Sequence, residues 1–215
     1  MKFDLHTHTK YSRCGILEPR TVLKKANKAG LDGIAITDHN TVKGALKTVK
    51  ENKNLDFEVI PGCEVSTELG HTLLYYVEEA PREKSFLEVI DFAKSAGAIV
   101  SLSHPFRLPQ GFGFKEDIKK VKHLINAIEC FNGRNMFRFV DEKAVIVAEK
   151  EGLAKTGGSD GHMWFEIGRG YTLFEGDLHT AIKKKKTQVG GSHVVSLAGS
   201  LMSVFFKNVI HIKKD

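Results

Sequence analysis

Long apolar runs are missing from this 215-residue chain. The best candidate, around Val194 to Phe206, is broken by serines and a glycine and stops at Lys207. That falls short of the roughly 18 apolar residues a membrane helix needs, so no membrane partner is expected. No secretory signal is expected at the start either, because Asp4 and His6 interrupt it before an apolar stretch develops. Cysteine is scarce: Cys14, Cys63 and Cys130 are an odd number with no C-x-x-C pair. This excludes a disulfide scaffold and suits a reducing, cytoplasmic setting, with Cys63 and Cys130 read as buried strand residues. An excess of one charge is also small, 32 Lys and Arg against 26 Asp and Glu, net +6. Four of those charges stand together at Lys183 to Lys186, which reads as a solvated helix end. Apolar residues, 41% of the total, are spread throughout and exclude wholesale disorder. They supply enough core for one domain.

Present instead are ten histidines and a repeated strand–helix rhythm. Strands are expected near residues 3–5, 33–37, 57–61, 72–77, 98–102, 127–131, 153–156 and 171–174. Helices are expected from Pro19 to about Ala29, then near 42–49, 82–95, 115–125, 141–151 and from the Asp177 cap to Lys186. The alternation predicts an α/β fold with a parallel sheet and outer helices, closed into a barrel. The barrel core is expected to run to about residue 176. Residues 177–215 then form the last helix and a tail with no place in the repeat, the whole chain being one domain.

The unusual residues fall at strand ends. His6 and His8 follow the first strand, Asp38 and His39 the second, and Glu64 the third. His104 follows the strand ending at Leu102, and Asn132 and Arg134 follow the one ending at Phe131. Asp160 and His162 follow the strand near Thr156. A parallel barrel gathers its active site on that rim. His-x-His on an extended segment points both rings to one side. Imidazoles joined by carboxylates from other strands suit a borderline divalent ion such as zinc, manganese or iron. His123, His179, His193 and His211 lie away from these clusters and read as ordinary surface or core residues. Trp164 and Phe165, just after His162, have two readings, stacking on a substrate ring or packing against the loop.

DLHTHT (Asp4 to Thr9), TDHN (Thr37 to Asn40), SHP (Ser103 to Pro105) and GSDGH (Gly158 to His162) occur in that order. Together with PGCEVS (Pro61 to Ser66) they resemble the motifs of the polymerase-and-histidinol-phosphatase (PHP) family of metal-dependent phosphoesterases. The resemblance runs from Met1 to about Gly176. It implies a distorted TIM-like barrel of about seven strands, a (β/α)7 arrangement, with two or three divalent ions (Zn, Mn or Fe) at the rim. It implies His6, His8, Glu64 and Asp160 on the first ion, and Glu64, His71 and His104 on the second. His39 and His162 match a third site. There the chain departs from the pattern: Arg13 stands where many members have Asp, and Cys14 where another branch has His. Arginine has no lone pair to offer, whereas a cysteine thiolate does. Either Cys14 completes the third site, or that ion is weakly bound or absent. In the last case His162 or His39 serves as general acid, with Arg13 near the leaving oxygen.

The expected reaction is attack on phosphorus by a hydroxide held between two ions. Arg107 and Arg134 are expected to clamp the phosphate, and Asp38 to support a ligating histidine from behind. The substrate is expected to be a small phosphomonoester, or a nucleotide or oligonucleotide phosphate. Two alternatives are a metal-dependent amidohydrolase and a metal-loaded nucleic-acid-binding domain without catalysis.

Overall fold

The structure is a computed structural model, and it describes residues 1–82, 84–109 and 113–193. The first half contains β1 (Lys2–Thr7), α1 (Pro19–Lys28), β2 (Gly33–Ile36), α2 (Lys43–Glu51), β3 (Glu58–Thr67) and β4 (Gly70–Tyr75). It continues with α3 (Phe86–Ser95), β5 (Ile99–Leu102), α4 (Ile118–Val121), β6 (Ala127–Asn132) and α5 (Arg138–Glu151). Then follow β7 (Ala154–Gly158), β8 (Gly170–Leu173), α6 (Leu178–Lys183) and β9 (Gln188–Gly191).

Local chemistry accounts for the boundaries. Pro19 opens α1 where its missing N–H costs nothing, and Val22, Leu23 and Ala26 bury one stripe. α3 begins at Phe86, later than the periodicity suggests, because the Ser85 hydroxyl accepts from the Glu88 amide and sets the start. α4 is one turn long where eleven residues are expected. Beyond it the Leu124 N–H donates to the Val121 carbonyl at 2.8 Å, a tight turn that ends the helix. Asp177 caps α6 as expected, accepting from the Thr180 amide at 2.8 Å.

The nine described strands form one sheet in the order β7-β6-β5-β4-β3-β2-β1-β8-β9. β1–β2, β2–β3, β5–β6 and β6–β7 pair in parallel. β4 runs antiparallel to both neighbours, and β8 runs antiparallel to β1 and β9. The expected uniformly parallel sheet is thus corrected. Thr67 pairs with Gly70, which leaves only Glu68 and Leu69 between β3 and β4. A parallel crossover needs a dozen residues or more, so this connection has to be a hairpin. The sheet rolls until Thr7 bridges Gly161, with the His8 amide donating to the Gly161 carbonyl at 2.9 Å. The result is the expected α/β barrel, nearly closed, with nine strands where about seven are expected.

One apolar cluster takes Phe3, Leu5, Ala35, Ile60, Leu73, Tyr75, Ile99, Ala127 and Ala154 from β1 to β7, as the inside of a rolled sheet requires. Leu178, Ala181 and Ile182 of α6 close it. A second cluster packs α3 and α5 on the sheet, and a third packs α1 and α2. β9 gives residues 188–191 a place beside β8. The remainder of the expected tail, residues 194–215 with His211, lies outside the described residues.

Candidate metal centre

At the end of β1 the Thr7 hydroxyl donates to the Ala35 carbonyl, and the rings of His6 and His8 turn to one side with their Nε2 atoms 3.1 Å apart. Each ring is oriented through its other nitrogen. His6 Nδ1 lies 2.8 Å from Glu129 Oε1, an acceptor-only carboxylate, so Nδ1 carries the proton and Nε2 a lone pair. His8 Nδ1 lies 3.0 Å from Ser12 Oγ. The single Ser12 proton goes to Asp38 Oδ1 at 2.8 Å, so Ser12 accepts from His8 Nδ1–H and from the His39 amide at 2.9 Å. His8 Nε2 is therefore bare as well. Asp38 supports a rim histidine from behind, as expected, through Ser12.

Glu64 lies within β3 and sits at the centre of the rim. Its Oε2 is 3.4 Å from His6 Nε2, 3.5 Å from His8 Nε2 and 3.0 Å from His39 Nδ1. Its Oε1 is 3.1 Å from His71 Nδ1 and 3.2 Å from His104 Nε2, and it accepts from the Ser103 hydroxyl at 2.8 Å. His71 is the second residue of β4, next to Gly70 at the hairpin turn. Because β4 runs backwards, its beginning lies at the same rim as the ends of the parallel strands. Asp160 Oδ1 approaches His8 Nε2 at 3.3 Å and His6 Nε2 at 3.6 Å. Its Oδ2 accepts from Arg107 Nη2 at 2.6 Å. His104 and Asp160 both have positive φ, 28° and 53°, so two of these side chains are aimed from strained backbone.

His162 Nε2 meets Cys14 Sγ at 2.9 Å, and its Nδ1 lies 2.8 Å from Arg134 Nη1 and 2.7 Å from the Asp160 carbonyl. All eight expected ligands thus converge, together with Arg107 and Arg134. Both arginines turn into the site: Arg107 also donates to Asn132 Oδ1 at 2.6 Å, and Arg134 approaches Glu166 at 3.3 Å. Arg13 is exposed. Glu129 and Glu166 escape the sequence reading. Glu129 accepts from the His104 amide at 2.7 Å and from Asn132 at 2.9 Å, besides holding His6. Its signal was an acid inside an otherwise apolar strand, AIECFN, where a charge is expensive unless it is used. Glu166 accepts from the amides of His162 and Met163 at 2.8 Å each. Trp164 is exposed beneath the Lys25 ammonium, 4.2 Å from the ring centroid. Cys63 and Cys130 are buried strand residues, as expected.

The electrostatics ask for cations. Burial pushes the Glu64 carboxyl upward, yet His39, His6 and His71 hold it well below the usual carboxylate range. Burial likewise raises Asp160, and His6 and Arg107 overcome it. Burial disfavours a proton on His6, but Glu129, Asp160 and Glu64 draw its pKa well above the ordinary imidazole value. Burial lowers His8, and together with Arg107 it lowers His104 to about 4. Buried carboxylates draw His6 and His39 upward while burial pushes His8 and His104 down, and carboxylates and imidazoles crowded together in this way form a donor set for a borderline divalent ion. The nitrogens His39 Nδ1 and His71 Nδ1 are buried beside Glu64 without a hydrogen bond, as lone pairs awaiting a shared cation would be. Three groups place their ligand atoms within 4.8 Å of one another: His6, His8 and Asp160; His39, Glu64 and His71; and His8, His39 and His162. The residues present fit metal binding.

Comparisons with known proteins agree with this arrangement. An uncharacterized protein of Methanocaldococcus jannaschii is 33% identical over 180 residues, covering 81% of this chain and 70% of its own length. A 5′-3′ exoribonuclease of Haemophilus influenzae is 30% identical over 113 residues, 45% of this chain and 41% of the exoribonuclease. Among solved structures, a two-domain Bacteroides vulgatus protein containing a predicted PHP-like metal-dependent phosphoesterase superposes with TM-score 0.76 at 20% identity. That match covers 89% of this chain and 65% of the other. The PHP domain family model matches residues 4–165, a span that holds all eight candidate metal-binding residues and Glu129. The chain belongs to the PHP domain family.

Proposed function

We propose that this chain is a phosphoesterase that hydrolyses a small phosphomonoester, or a nucleotide or oligonucleotide phosphate, with divalent ions held at the barrel rim. The observation that carries the proposal is Glu64, whose two oxygens face separate sets of imidazoles: His6, His8 and His39 on one, His71 and His104 on the other. His6, His8, Glu64 and Asp160 would hold one ion, and Glu64, His71 and His104 a second, with zinc, manganese or iron suiting the donors. Such ions supply Lewis acidity and deprotonated water near neutral pH. The rest of the work belongs to the chain. Glu129 and Ser12 keep the Nε2 lone pairs of His6 and His8 turned inward. Arg107 holds Asp160 in place, and with Arg134 it offsets charge on phosphoryl oxygens. His39 and His162 have two roles open to them, proton donation to the leaving oxygen or ligation of a third ion. The exoribonuclease among the relatives supports nucleotide-type substrates. No described helix is long and apolar enough to cross a membrane, which agrees with a substrate met in water. We read the whole chain as one domain.

The test is a panel of phosphomonoesters, diesters and amides with added manganese or zinc, run on the full chain and on His8→Ala and Asp160→Ala. Both variants should keep their circular dichroism and lose phosphate release by roughly a hundredfold or more. Near-normal turnover in either variant would sink the assignment. Cleavage of amides alone would make the chain an amidohydrolase, and salt-sensitive nucleic-acid binding without hydrolysis would make it a binding domain.

A further inference from the structure

We propose that Asp141 is a positioning residue for phosphate recognition: braced from behind by His193, it orients the two asparagine side chains that hold the Arg107 guanidinium at the rim. The proposal rests on the phosphoesterase reading, in which Arg107 meets the phosphoryl oxygens.

Asp141 lies in the first turn of α5 and is 5% exposed. The other buried residues of that helix are Val140, Ala144 and Ala148, so packing alone would be met by an apolar side chain here. A buried acid is costly unless its oxygens are used, and both are. Oδ1 accepts from Asn135 Nδ2 at 2.6 Å and from the Asn132 amide at 3.3 Å. Oδ2 accepts from His193 Nε2 at 2.6 Å. His193 follows β9 and is itself held. Its ring packs on Phe131 of β6 with centroids 4.7 Å apart, and the Ser192 amide before it donates to the Arg169 carbonyl at 2.8 Å.

The consequence is an orientation. An asparagine side chain has a donor end and an acceptor end. Asp141 takes the NH2 of Asn135, which leaves Asn135 Oδ1 to accept from Arg107 Nε at 3.2 Å. Asn132, held through its backbone amide, gives its NH2 to Glu129 at 2.9 Å and accepts from Arg107 Nη2 through Oδ1 at 2.6 Å. With Asp160 Oδ2, also 2.6 Å from Nη2, these acceptors fix the plane of the guanidinium. A planar fork recognises phosphate through its geometry, so a held fork is worth more than a swinging one. Without the Asp141 acceptor, Asn135 is free to turn its NH2 against Arg107, donor against donor.

The test uses the full chain and its Asp141→Ala, Asp141→Asn, His193→Ala, Arg107→Ala and Asp141→Ala/Arg107→Ala variants. It measures p-nitrophenyl phosphate hydrolysis with manganese, and affinity for inorganic phosphate by calorimetry. Asp141→Ala should raise KM and weaken phosphate binding by roughly tenfold, with a smaller change in kcat. It should have no further effect once Arg107 is alanine, because the two residues act as one unit. Asp141→Asn keeps an oxygen for Asn135 and should recover most of the affinity, which a role through charge at the helix N-terminus would not allow. His193→Ala, at a partly exposed position, should shift both constants in the same direction, and it decides the matter if Asp141→Ala does not keep its circular dichroism. Unchanged constants in Asp141→Ala or His193→Ala, additive losses in the double variant, or an Asp141→Asn as impaired as Asp141→Ala would overturn the positioning role and leave the phosphoesterase standing. A full chain that releases no nitrophenol and takes up no inorganic phosphate overturns both.

Discussion

Glu129 shows what one buried residue does for its neighbours. It is 2% exposed, and its two oxygens take the His6 ring, the His104 amide and Asn132, so it ties together two candidate ligands and the rim loop. Glu129→Gln keeps the shape but exchanges an obligate acceptor for an amide that can also donate, which frees His6 to take the other tautomer. The variant should bind zinc 10–100-fold more weakly by calorimetric titration, a typical loss for a residue that orients a metal-ligating histidine. Unchanged affinity would mean that His6 orients itself. The ligands are legible one by one because histidine and acid pairs at strand ends have few other uses. Glu129 is not, because its value depends on which ring the sheet lays beside it.

Elements decide how those residues meet. The β3–β4 hairpin is too short for a crossover, so it reverses β4 and swings His71 onto the rim. In the sequence TLLYYV reads as one more strand and says nothing of its direction, because apolar runs look alike in parallel and antiparallel pairs. Where α2 meets the β1 loop, Gly44 lies so close that an added methyl would overlap the Asp38 carboxylate and the Thr9 hydroxyl. Gly44→Ala should therefore cost about 1–3 kcal/mol in urea unfolding by overpacking, and it should disturb the Asp38–Ser12–His8 chain. Gly30→Ala is the control, since nothing crowds that site and only its positive φ of 67° is penalised, by about 1 kcal/mol. A Gly44→Ala variant as stable as the control and with unchanged metal affinity would show that α2 does not pin Asp38.

At the scale of the molecule the rim is a belt. His6 comes from β1, Glu64 from β3 and His71 from β4, while His39, His104 and Asp160 follow β2, β5 and β7. An ion bound there joins strands far apart in sequence and binds only the folded chain. Zinc at about 100 times its dissociation constant should add about 2.7 kcal/mol per site to unfolding stability, read as a rise in Tm that a chelator reverses. The gain should shrink as pH falls from 8 to 5, because protons then compete with the ion for the imidazole lone pairs of the folded, metal-free rim. A metal-induced shift in Tm that does not change from pH 8 to pH 5 would argue for binding by carboxylates alone.

The sequence by itself determined the strand–helix alternation, the candidate ligand types and their order along the chain, because periodicity and side-chain chemistry are local properties. Barrel closure through Thr7 and Gly161, the reversal of β4, the bracing of His6 by Glu129 and the approach of Cys14 to His162 were decided only in three dimensions. Each is a contact between residues far apart in the chain or a choice of strand direction, and such contacts are set by how the whole sheet rolls and packs.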